Sequence, residues 1–131
     1  MTVKERAERA ADKRFIHALL FQAMMRGEEG LTVDDTGLDQ TGRNAWCVGI
    51  REFEHEVRPC DDVGSITKWI DKVHPLMGMK HAIGIWFDDA RSIYVLDLCW
   101  MIQDKSDALR IAKEQEQDAI WHLKNKELIY V

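Results

Sequence analysis

The 131-residue sequence predicts an α+β fold, an antiparallel β-sheet with a long N-terminal helix and one or two shorter helices packed on it. Three observations carry that prediction. The first 26 residues are Ala-rich and hold neither Gly nor Pro until Gly27; several later segments alternate with period two; and one of these forms a clear hairpin followed by a cappable helix. Residues 1–131 are expected to form a single domain, because halving the chain would leave each part too small to bury a core.

In chain order, residues 3–26 place Ala11, Phe15, Ala18, Leu19 and Met25 at helical spacings, so an amphipathic helix is expected with those residues on its apolar side. Gly27 and Gly30 end it, and 31–44, with Asp34, Asp35, Gly37, Asp39 and Gly42, reads as a loop or an irregular hairpin. From Ala45 the period becomes two: Trp46, Val48 and Ile50 share a face, whereas Phe53, His55 and Val57 are out of phase, which predicts a bulge near Arg51 or Glu52. After Pro59 and the acidic pair Asp61–Asp62, the residues Ile66, Trp69, Ile70 and Val73 trace one face of a short helix that Pro75 terminates. Ile83, Ile85 and Phe87 alternate with Gly84, Trp86 and Asp88 in a strand over 82–88. A turn through Asp89–Arg91 then leads into a second strand over 93–98. Asp104 or Ser106 caps a helix reaching about Glu116 with Ala108, Ile111 and Ala112 inward, and 118–123 and 128–131 read as two short strands around Lys124–Lys126.

Composition narrows function by exclusion. With 18 Lys+Arg against 23 Asp+Glu the charge is −5, so the basic excess of a general DNA or RNA binder is missing and no nucleic-acid duplex is expected as partner. At 46% hydrophobic residues with five Trp, the chain does not fit the signature of disorder. Cys47, Cys60 and Cys99 are odd in number and lack paired spacing, which suggests reduced thiols in a cytoplasm. No signal peptide is expected at the N-terminus, and no apolar run approaches the ~20 residues of a membrane span.

Chemistry-bearing motifs are few. His17, His55, His74, His81 and His122 include no metal-ligand helical pair, and neither a G-x-S-x-G elbow nor a phosphate-cradling Gly-rich loop occurs. Cys47 and Cys99 fall within strands and read as apolar side chains; His55 between Glu54 and Glu56 reads as a solvated strand face; Asp88 and Asp89 read as turn formers. Asp97 is more informative. It interrupts the apolar run Tyr94–Leu98 on the face it shares with Val95, where a carboxylate must meet solvent, a partner or a ligand. Trp86, Phe87, Tyr94 and Trp100 crowd the same hairpin, while Arg26, Arg43, Arg51, Arg58, Arg91 and Arg110 are scattered. Aromatic faces stack on purines and guanidinium forks grip phosphates, so this is the inventory of a nucleotide site.

The series Gly84-Ile85-Trp86-Phe87-Asp88, Tyr94-Val95-Leu96-Asp97, Asp104 with Ala108-Leu109-Arg110-Ile111-Ala112-Lys113, and Gln117-Asp118-Ala119-Ile120-Trp121-His122-Leu123 resembles a hairpin, helix and strand module common in small bacteriophage proteins. It covers 82–131, about the C-terminal third. With the preceding helix, loop and Ala45–Ile50 strand, the layout is similar to the phage Thoeris anti-defence sponge proteins of the first type. That resemblance implies a non-catalytic homo-oligomer, dimer-based and up to a hexamer. It would act in the host cell cytoplasm without cofactor or metal, binding a cyclic ADP-ribose isomer made by the host immune system, with cyclic oligonucleotides at a separate site. Carried onto this chain, Trp86 or Phe87 would stack on adenine, Asp97 would accept from a ribose hydroxyl, Arg58 or Arg91 would neutralise pyrophosphate, and Arg26 with Arg110 would form a second phosphate cluster at a subunit junction. The acidic Asp88–Asp89 turn departs from this picture, since it would repel a phosphate.

Two other readings compete. A small acidic inhibitor that blocks a host immune or regulatory protein would use Glu28, Glu29, Asp34, Asp35 and Asp39 as an acidic loop. A nucleotide phosphodiesterase or ADP-ribose hydrolase would need converged His and Asp side chains, for which the sequence shows no spacing.

Overall fold

The structure, a computed structural model, describes residues 1–58 and 63–131. Three helices, α1 (Val3–Met25), α2 (Val63–Val73) and α3 (Lys105–Glu114), accompany seven strands: β1 (Gly30–Val33), β2 (Trp46–Gly49), β3 (His55–Val57), β4 (His81–Asp88), β5 (Ile93–Ile102), β6 (Ala119–His122) and β7 (Glu127–Tyr130). All strand pairs are antiparallel, in the order β1-β4-β5-β2-β6-β7, with β3 also paired to β5. The fold is α+β.

β5 is the spine. One of its edges pairs with β4 from Ile93 to Trp100, and the other is shared by β3, opposite Tyr94–Leu96, and β2, opposite Cys99–Ile102. Between β2 and β3 the chain makes a 3-10 turn over Arg51–Phe53. This turn accounts for the phase slip in the sequence: two strands separated by a turn replace one bulged strand. β5 also runs four residues beyond the expected end at Leu98, because Cys99–Ile102 find a partner in β2 that is distant in sequence.

Alternation along β5 sorts the side chains onto two faces. Tyr94, Leu96 and Leu98 face α1 and α2 in a core with Ile16, Leu20, Ile66, Ile70, Val73, Ile83 and Ile85. α3 covers the continuation of that face, where Ala108 and Ala112 meet Trp46, Val48 and Ile120. All three helices therefore lie on one side. The other face carries Val95, Asp97, Cys99 and Met101, and its small cluster of Ala45, Ala82, Met101 and Leu123 includes no helix residue.

Local rules explain the helix ends. Thr2 accepts from the Glu5 amide at 3.0 Å, and α1 ends as Gly27 (φ +66°) lets its own amide and that of Glu28 reach the Met24 and Ala23 carbonyls. The buried stripe of α1 is Ile16, Leu20 and Ala23, not the expected Ala11–Met25 series; Phe15 and Met25 are exposed. Phe15 instead lies over Gly37, where a Cβ would come within 2.4 Å of its ring. The region read as a loop from 31 contains β1, and Asp34 then accepts the Thr36 and Leu38 amides at 2.9 Å to turn the chain back. Asp104 caps α3 by accepting from the Asp107 amide at 2.8 Å. Pro59, Cys60 and the Asp61–Asp62 pair lie outside the described residues.

Candidate functional site

Two regions gather the residues singled out from the sequence. The first lies on the open face of the sheet. Gly84 is the cross-strand partner of Asp97 and leaves it no opposing side chain, while Trp86, opposite Val95, leans diagonally so that its indole Nε1 donates to Asp97 Oδ2 at 3.0 Å. Asp97 Oδ1 is buried and meets no hydrogen-bond partner among the described residues. Burial pushes the Asp97 carboxyl up to about 6; the Trp86 bond opposes this and Glu54 adds to it. Burial also raises the neighbouring thiols, Cys47 to about 12 and Cys99 well above its usual value, with Asp97 contributing to both. These cysteines are protonated at neutral pH and are not activated nucleophiles.

Arg91 stands at the same end of that face but is committed. Its Nε donates to Asp88 Oδ2 at 2.8 Å and its Nη1 to Glu56 Oε1 at 2.5 Å, and the Arg91 hydrogen bond holds the Asp88 carboxyl below its usual range. One guanidinium thus stands between two carboxylates, Asp88 and Glu56, so this end of the sheet favours a hydrogen-bond donor or cation over a phosphate. Phe87 is on the opposite face, edge-on to Tyr94 with ring centroids 5.0 Å apart and packed against the helix-covered core. Only Trp86 of the two aromatics accompanies Asp97. Arg58 is exposed just after β3.

The second region is a cleft of about 810 Å³ at the far end of β5, bounded by Arg43, Lys80, Trp100, Gln103, Arg110 and the polar side of α3. Arg110 is braced by Asp107 at 3.6 Å and Glu114 at 3.4 Å, both exposed pairs. Arg43 donates to Gln40 Oε1 at 3.0 Å, and neither Arg43 nor Lys80 forms an ion pair with a described residue. Arg26, at the end of α1, is not part of this cleft, so the single chain does not unite it with Arg110. The sequence offers Arg43 and Trp100 only as members of a scattered aromatic and arginine inventory and does not single out Lys80. Their convergence depends on β2 lying beside the end of β5, a long-range pairing that no local motif announces.

Other candidates resolve differently. His55 is half-buried beside Leu96, not on a solvated face, and its Nε2 is buried without a described partner at a small cleft of about 280 Å³ that also holds Trp69, Lys68 and Lys72. In the acidic loop, Asp34 and Asp39 accept backbone amides and Asp35 lies 3.8 Å from Arg9, which leaves less of that loop to mimic a polyanion. Among the described residues no three His, Cys, Asp or Glu side chains are placed to hold a metal ion, and no helix is long and apolar enough to cross a membrane.

Comparison with protein-family models, curated proteins and solved structures finds no match to this chain.

Proposed function

We propose that this protein is a non-catalytic phage anti-defence factor that binds and sequesters a cyclic nucleotide signal as a homo-oligomer in the host cytoplasm. A cyclic ADP-ribose isomer is the first ligand to test and cyclic oligonucleotides are the second. The observation that carries the reading is the cleft at the end of β5: its volume of about 810 Å³ falls in the range of small-molecule sites, and Trp100, Arg43, Lys80 and Arg110 supply a stacking face and three cations, set against the carboxylates of Asp104, Asp107 and Glu114 on the α3 side. The carboxylates bracing Arg110 are exposed and weakly held, so an entering phosphate can displace them at little cost. Trp86 and Asp97 lie outside this cleft and offer a donor-seeking contact on the open face.

Native mass spectrometry of the purified chain with cyclic ADP-ribose isomers and cyclic oligonucleotides tests the proposal. The expected result is a bound nucleotide recovered unchanged on heating. Arg43→Ala and Arg110→Ala should each weaken binding at least tenfold, the loss of one charge-assisted contact. A converted product, or no binding at micromolar ligand, would overturn it.

A further inference from the structure

The two edges of the sheet are finished differently. At the β1 edge the chain folds back over itself: the Gln40 amide donates to the Thr32 carbonyl and the Asp34 amide to the Leu38 carbonyl, both at 2.9 Å, and Val33 bridges Asp39. The Thr32 carbonyl and the Asp34 amide are thereby covered. At the other end of the strand order, β7 has no neighbour beyond β6 among the described residues. The Val131 amide donates to the Asp118 carbonyl, so by the alternation of an antiparallel pair the backbone groups of Ile129 also turn inward to β6, and those of Leu128 and Tyr130 turn outward.

This bare edge lacks the usual protection. Glu127–Tyr130 holds no Pro, Gly or bulge, and its outward residues are apolar and exposed, Leu128 at 49% and Tyr130 at 76%. Trp121, opposite Leu128 on β6, extends the apolar strip on the open face.

We infer that β7 is a self-association edge, on which the β7 of a second copy pairs antiparallel about a twofold axis beside Ile129. The register follows from the outward groups. With Leu128 opposite the second copy's Tyr130 and the reverse, the four outward N–H and C=O pairs close four hydrogen bonds. Ile129 then meets its own symmetry mate on the side covered by α3, where it already packs against Trp46 and Ile120. Leu128 and Tyr130 alternate with their mates on the open face beside Trp121. Glu127 falls opposite Val131. The two seven-stranded sheets become one. A second copy fits better than a foreign strand because the strand is complementary to itself in this register without any adjustment. The strip is short, so the interface lies at the small end of specific contacts, about 1,000 Å² or less, and association is concentration-dependent in the micromolar range.

The inference specifies the oligomer of the proposed function but does not draw on the ligand, and it is tested without nucleotide. Sedimentation velocity across a micromolar concentration series should show a monomer–dimer equilibrium. Leu128→Lys with Tyr130→Lys opposes Lys to Lys twice and should raise the dissociation constant more than tenfold, whereas Leu128→Lys with Tyr130→Glu opposes Lys to Glu and should restore the dimer. In the unaltered chain, deuterium exchange at the Leu128 and Tyr130 amides should slow as concentration rises, which reads the edge even if a variant folds poorly. A chain that stays monomeric, or an oligomer indifferent to both pairs of substitutions and to amide exchange at these positions, would overturn the inference. Loss of the dimer with nucleotide binding intact, or the reverse, separates this interface from the ligand site.

Discussion

The two faces of β5 are nearly equally buried and are built on different principles. Leu96, 0% exposed, lies beneath α1 and α2 among large aliphatic side chains; Val95, 1% exposed, belongs to a face that no described helix covers and shares it with Asp97, Cys99 and Trp86. The helix-covered face buries mostly large apolar groups, with His55 Nε2 at its β3 margin as an exception, and derives its stability from area and packing. The open face buries a carboxylate with one oxygen unpartnered among the described residues, which costs stability and is retained next to an exposed tryptophan. Burial alone therefore does not identify core in this molecule. A buried carboxylate, in place of purely aliphatic packing, sets the open face apart from the face that holds the fold together.

The largest expected effect breaks the comparison on the covered side. Leu96→Ala removes most of a fully buried side chain between two layers that cannot both collapse into the gap, and should cost 2–5 kcal/mol, roughly, in urea or thermal unfolding. Val95→Ala, one residue along, should cost about 1–2 kcal/mol, the transfer value of its lost methyl groups, because no described helix is packed over it to hold a cavity open. Equal losses at the two positions would mean that both faces are packed as core.

Asp97→Asn comes next and has the opposite sign. Burial pushes the folded carboxyl up to about 6 from its ordinary value of 3.8, so the folded state holds its proton more tightly than the unfolded state. Stability from this group is fully present below the unfolded value and is lost as pH rises from about 4 through 6. The folded charge then carries a penalty of about 3 kcal/mol at neutral pH. Asn is isosteric and uncharged. It should raise unfolding free energy at pH 7 by about 1–3 kcal/mol and flatten the difference between pH 4 and 7. A variant that is destabilised at pH 7, or that keeps the wild-type pH slope, would show that the open face does not store this cost.

What the sequence discloses follows the range of the interactions. The β4–β5 hairpin, α2 with Ile66, Trp69, Ile70 and Val73, and the Asp104 cap are legible because spacing and capping act within a few residues. The sharing of a face by Val95 and Asp97 is legible for the same reason. The inner side of α1 is not, because Phe15, Ile16, Leu19, Leu20 and Met24 crowd its second half and leave two overlapping apolar stripes; the sheet selects one, and the Gly37 turn receives Phe15 from the other. The insertion of β2 between β5 and β6 is equally hidden, and with it the meeting of Arg43, Lys80, Trp100 and Arg110. The commitment of Arg91 to Glu56 depends on the β3–β5 pairing. In each case the deciding contact joins segments far apart in the chain.

Trp86→Phe is the smallest and most selective change. The side chain is 42% exposed, so the ring change itself loses little, and the alteration falls on the bond from Nε1 to Asp97. That bond favours the charged carboxylate and holds its pKa down against burial. Without it the Asp97 value should rise above 6, and the variant should lose about 1 kcal/mol at pH 7, the net worth of a partly exposed hydrogen bond to a charged group. Below about pH 5, where Asp97 is protonated in the folded state, the loss should shrink towards zero. Carboxyl-carbon NMR titration reads the first expectation directly and denaturation at two pH values reads the second. If the pKa does not move, the indole is not what makes this carboxylate tolerable, and the open face loses its central contact. If the pKa moves while nucleotide affinity does not, the Trp86–Asp97 pair and the cleft at the other end of β5 are energetically separate. That result would confine the polar cost of the open face to a role other than holding the nucleotide.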